Sequence, residues 1–134
     1  MVQKKFFSNI KHLSQKLTDF ANEEGFEIER LEYNFVDSEK MFSLNKDFLN
    51  HDTDTDVITF DYSESKTIVA EVFISNKMMI KNASEYTQGI ENEALRLFSH
   101  GLLHCMGYND KTNKDKAKMR KKEDQFIFAV SRET

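Results

Sequence analysis

A chain of 134 residues with a formal charge of −4 gives room for one domain, 1–134, and little for a second. Its 39% apolar content, including twelve Phe, supplies a core and excludes a wholly disordered chain, while the mild acidity excludes a strongly basic nucleic-acid coat protein. No apolar run approaches the roughly 20 residues of a spanning helix, and a single cysteine, Cys105, excludes an intrachain disulfide framework.

The first residues, MVQKKFFSNIKHL, carry no long apolar stretch and no small-residue cleavage site. No signal peptide is expected, and a reduced, cytoplasmic setting is. From about Gln3 to Asn22, Phe6, Ile10, Leu13, Leu17 and Phe20 recur at helical steps, and Gly25 ends the helix. Phe26 to Val36 alternates and predicts a strand. Ser38 is the expected cap of a helix carrying Met41, Leu44 and Phe48. Residues 50–56 form a polar loop, Val57–Phe60 a short strand, and Thr67–Ser75 a near-continuously apolar central strand. Ser75 or Asn76 caps a helix to about Thr87; a helix from Glu91 to about Met106 and a last one from about Asn113 to Val130 follow. The order αβαββααα predicts an α+β fold, a single small mixed β-sheet packed with about five helices.

Charge is uneven. From Asp19 to Glu39 there are eight acids and one base, Arg30; from Lys111 to Lys122 there are seven bases and one acid, Asp115. The basic stripe reads equally as a solvated helix face or as a nucleic-acid contact. Most of the Phe residues fall on apolar sides of periodic segments, which assigns them to core packing.

The segment Ser99-His100-Gly101-Leu102-Leu103-His104-Cys105-Met106-Gly107-Tyr108-Asn109-Asp110 carries the chemistry. His100 and His104 are about 40° apart around a helix, one turn from each other, so both imidazoles can reach one metal at about 2.0–2.1 Å. Gly107 is placed to end the helix and reverse the chain, which would return Asp110 as a third ligand. The pattern H-x-x-x-H-x-x-G-x-x-D matches the spacing of the metzincin zinc signature with two changes. Gly101 stands where zinc peptidases have their glutamate base, which argues against peptide hydrolysis and suggests room for a bulkier substrate. Asp110 stands in the third histidine's place; aspartate is an acceptable zinc ligand, makes bound water less acidic, and widens the choice toward manganese or iron. Cys105, about 100° from His104, is expected in the core. His12 and His51 have no ligand-like partners at helical spacing, and Tyr108 is expected to prop the turn.

HGLLHCMGYND resembles the signature of the YbeY family of ribosomal RNA maturation endoribonucleases, through His100, Gly101, Leu103, His104, Gly107 and Tyr108. Leu44-Asn45 with Thr55-Asp56-Val57-Ile58-Thr59-Phe60, and Ala70-Glu71-Val72-Phe73-Ile74-Ser75, resemble two further motifs of that family in the same order. The resemblance implies a small α+β fold holding one zinc ion per chain in a cleft. It also implies a role in 3′-end maturation of small-subunit ribosomal RNA and in ribosome quality control. It carries His100 and His104 over as metal ligands, and Asp110 by position only. Two departures stand out: the family's functional arginine falls on Leu49, and its loop proline on Asp54.

The mechanism expected is metal-activated water attacking a phosphodiester. The base is open between Asp56, Glu71 and the metal-bound hydroxide alone. Lys111, Lys114, Lys118, Lys121 and Lys122, in a stripe that also holds Lys116 and Arg120, are candidates for holding RNA. Two alternatives compete: a ribosome-associated binding module with a structural metal, and another metal-dependent hydrolase.

Overall fold

The computed structural model describes residues 10–49, 56–85 and 89–131. The elements run α1 (Ile10–Glu23), β1 (Glu27–Val36), α2 (Ser38–Leu49), β2 (Val57–Asp61), β3 (Thr67–Ser75), α3 (Asn76–Glu85), α4 (Ile90–Cys105) and α5 (Asn113–Ser131). This is the predicted α+β order. The predicted start of the first helix, the loop with His51 and Asp54, and the side chains of His12 and Leu49 lie outside the described residues.

The sheet is three-stranded, in the order β1-β3-β2. β1 pairs parallel with β3, and β2 antiparallel. β3 is the central strand, and its alternation decides both layers. Ile68, Ala70, Val72 and Ile74 are fully buried in the main core with Leu13, Leu17 and Phe20 of α1 and Phe98, Leu102 and Leu103 of α4. Phe73 points the other way and packs with Ile58, Phe60, Met41 and Leu44 under α2. Each fully buried aliphatic or aromatic side chain here contributes about 1.5–3 kcal/mol. Phe20 and Phe126 meet edge to face at 5.3 Å, joining α1 to α5.

Three helix starts, those of α2, α3 and α5, carry side-chain caps, one of them with a change of residue. Ser75 Oγ accepts the Met78 amide at 3.1 Å and caps α3. Thr112 Oγ1 accepts the Asp115 amide at 3.0 Å and caps α5. At α2 the cap is Asp37, whose Oδ1 accepts the Lys40 amide at 2.8 Å, and Ser38 is already helical. Aspartate wins because its charge also suits the positive end of the helix.

Candidate metal centre

α4 ends in a Schellman turn. The Tyr108 amide donates to the Leu103 carbonyl at 3.0 Å and the Gly107 amide to the His104 carbonyl at 3.1 Å. Gly107 sits at φ +95°, a conformation a side chain would strain. Tyr108 props this turn as expected: its hydroxyl donates to Glu24 Oε1 at 2.9 Å, tying the turn to the end of α1. The reversed chain brings Asp110 back beside α4.

Three potential ligands converge there. His100 Nε2 lies 3.0 Å from His104 Nε2 and 3.5 Å from Asp110 Oδ2. One ligand atom from each of the three lies within 4.8 Å of the others. Ligand atoms about 2.0–2.1 Å from a tetrahedral ion stand roughly 3.3 Å apart, so the observed spacings bracket what such an ion requires. At 3.0 Å the two ring nitrogens face one point and can share a proton, as a hydrogen bond, or a cation. The donor set therefore fits a divalent ion.

The orientation of His100 comes from a residue that sequence reasoning missed. His100 Nδ1 lies 2.7 Å from Glu123 Oε2, and Glu123 is buried at 4% exposure. With Nδ1–H donating to this carboxylate, Nε2 is left as the metal-facing atom. Glu123 Oε1 in turn accepts from Arg96 Nη1 at 3.0 Å, and Arg96 Nη2 reaches Asp124 Oδ1 at 2.8 Å. The only sequence signal for Glu123 is helical: it lies three and four residues beyond Arg120 and Met119, on their face of α5.

Electrostatics distinguish the two imidazoles. Burial lowers the pKa of His100, but the hydrogen bond to Glu123 and the charges of Glu123, Asp110 and Asp56 outweigh it and leave the ring above 6.5. His104 is held below 6.5 by burial and by the neighbouring His100. Cys105 is buried and its thiol is pushed up to about 12, by burial first and then by Asp61. It is a core residue, as expected, with no thiolate to offer.

His100 and Asp110 border a cavity of about 490 Å³, whose wall also includes Asp56, Asn82, Glu93, Arg96, Lys116 and Arg120. Asp56 is thus brought to the site; its Oδ2 accepts from Asn82 Nδ2 at 3.2 Å. Glu93 is buried, and desolvation raises its carboxyl, with Arg96 opposing.

Two expectations are corrected. Glu71 lies on the face of β3 away from α4, where it accepts a long bond of 3.4 Å from the Tyr62 hydroxyl, so it is removed as a candidate base. Its odd step along the strand, between buried Ala70 and Val72, sends it there. Gly101 does not open the site. It is the contact of α4 with the sheet, where a Cβ would meet the two Val72 methyls at 3.0 and 3.1 Å and Thr59 Oγ1 at 3.4 Å. The basic stripe divides. Lys122 Nζ is bound to Glu24 Oε2 at 2.8 Å, Lys118 stands 5.5 Å over the Tyr108 ring, and Lys111, Lys114 and Lys121 line no part of the metal cavity. Lys116 and Arg120 do line it.

Comparisons with known proteins give matches over most of the chain. Residues 2–131 match the family described as Endoribonuclease YbeY. The Endoribonuclease YbeY of Cytophaga hutchinsonii is 44% identical over 112 residues, 83% of this chain and 78% of that protein. That of Flavobacterium johnsoniae is 40% identical over 97 residues, 72% of this chain and 70% of that protein. The solution structure of TM1509 from Thermotoga maritima superposes with a TM-score of 0.65 at 26% identity, covering 88% of this chain and 78% of that one. Among the described residues no helix is long and apolar enough to cross a membrane.

Proposed function

The chain belongs to the YbeY family, and from that premise we propose that it is a metal-dependent endoribonuclease acting on single-stranded RNA. The observation that carries the reading is the convergence of His100 Nε2, His104 Nε2 and Asp110 at the edge of a polar cavity. These three residues would hold one divalent ion per chain, zinc first, with manganese or iron admitted by the carboxylate. When bound, such an ion supplies a Lewis acid that acidifies water and stabilises charge on a phosphoryl oxygen.

The chain's own residues do the rest. Glu123 keeps the Nδ1 proton of His100 in place, so that Nε2 faces the ion. Both Glu123 oxygens are engaged, Oε1 by Arg96 and Oε2 by His100, so Glu123 is not the base. Asp56 shares the cavity and takes the proton of the attacking water, with Asn82 orienting its carboxylate. The physiological reading extends to 3′-end maturation of small-subunit ribosomal RNA and ribosome quality control in the cytoplasm, with the small ribosomal subunit as partner. The relatives' shared name supports the nuclease class, and the motif resemblance supports the ribosomal substrate.

The test is cleavage of an end-labelled RNA spanning the 3′ end of small-subunit ribosomal RNA, single-stranded and annealed, by wild type and His104→Ala of measured metal content. Cutting of the single strand alone, lost in the variant, is expected. A metal-loaded wild type that binds this RNA without cutting it would favour the second reading, a ribosome-associated module with a structural metal. That reading draws on Leu49 at the position of the family's arginine.

A further inference from the structure

The basic stripe of α5 is two surfaces. Lys116 and Arg120 lie four residues apart and share one helix face, which borders the metal cavity. That face cannot turn away, because Met119 and Glu123, in the same row, are buried at 2% and 4% exposure. Arg96, the other cation of the wall, is paired with Glu123 and Asp124. Among the described residues neither Lys116 nor Arg120 has an ion pair within 4.0 Å, whereas Lys122 on the neighbouring face is committed to Glu24. The cavity thus presents two cations outside any short ion pair beside the ligand cluster, Arg120 acting at longer range on the buried Glu93. Its four carboxylates, Asp56, Glu93, Asp110 and Glu123, outnumber its three cations, Arg96, Lys116 and Arg120, until a divalent ion is added, and then positive charge prevails. An anion is accordingly admitted by the metal-loaded chain.

We propose that Lys116 and Arg120 hold a backbone phosphate of the RNA next to the phosphodiester presented to the metal ligands. The inference rests on the endoribonuclease reading above and specifies how the strand is placed. It assigns the contact to two residues and excludes the rest of the stripe.

The experiment measures binding of a short single-stranded 2′-O-methyl RNA, which resists cleavage, to the full zinc-loaded chain by fluorescence anisotropy across a salt series. Each phosphate contact to a single strand contributes about 0.7 to the slope of log affinity against log salt, or about fivefold at ~0.1 M. Lys116→Ala/Arg120→Ala is expected to lose about 25-fold in affinity and about 1.4 in slope, with zinc content and circular dichroism unchanged. Each single variant should show about half the slope change. Lys116→Arg/Arg120→Lys should retain most of the affinity, and Lys118→Ala/Lys121→Ala should stay within about twofold of wild type. Unchanged affinity and slope in the first double variant, with wild type binding, would overturn the inference and leave the nuclease reading intact. An equal loss in the Lys118/Lys121 variant would also overturn it. Wild type with no affinity for single-stranded RNA would overturn the nuclease reading itself, and the inference with it.

Discussion

His100 and Asp110 reach the same point from different ground. His100 stands on α4 with its side chain 18% exposed, and behind it Glu123 and Arg96 form a buried, charge-assisted chain. Asp110 stands on the loop after Gly107, its side chain 47% exposed, with its long contact to His100 as its ion pair among the described residues. One side chain is held by buried partners, and the other is placed by a turn at the surface. Affinity is therefore expected to depend on the buried arm, and metal identity on the exposed one.

The predictions probe that division. The largest effect is loss of either imidazole: His100→Ala or His104→Ala should reduce one ion per chain to a trace by elemental mass spectrometry. Next comes the arm behind His100. Glu123→Gln keeps the shape but weakens the acceptor, and should cost about 10–100-fold in zinc affinity by chelator competition. Asp110→Ala should cost no more than Glu123→Gln; a much larger loss there would reverse the comparison. Asp110→His should move preference from manganese toward zinc, measured as the ratio of the two affinities.

The pH dependence is a smaller effect with a definite sign. In the metal-free chain the His100–Glu123 pair raises the histidine above 6.5. Its contribution to stability is full below that value and fades as pH rises through the folded pKa. Thermal unfolding of the apo chain should therefore lose less between pH 6 and 8 in Glu123→Gln than in wild type. An identical pH trend in both would remove Glu123 as the cause of the shift. The smallest effect is expected away from the site. Lys122→Ala breaks the partly buried pair with Glu24, should cost about 1 kcal/mol in urea unfolding, and should leave zinc content untouched.

The convergence of His100, His104 and Asp110 was legible because each step of it is local. Helical period places His100 over His104, and Gly107 supplies a left-handed residue that only a glycine adopts cheaply, so the return of Asp110 follows from neighbours in the chain. The same holds for the element order, including the central position of β3, whose near-continuous apolar run is that of a central strand. Glu71 was misplaced because strand alternation gives two faces without saying which one α4 covers. Gly101 was misread because a missing side chain signals either an open site or a close contact, and only the Val72 methyls decide between them.

What the sequence determined by itself, then, is the order of helices and strands, the convergence of His100, His104 and Asp110, and the turn that assembles it. All of these are set by chain geometry over a few residues. What only the tertiary structure decided is the support and the surroundings: Glu123 reaches His100 across 23 residues and Arg96 across 27. The division of the basic stripe likewise depends on α5 packing with Phe126 against Phe20, which fixes the helix's rotation and sends Lys122 to α1 and Lys116 and Arg120 to the cavity. A helix's composition states how much charge it carries, but its direction is a property of the packing.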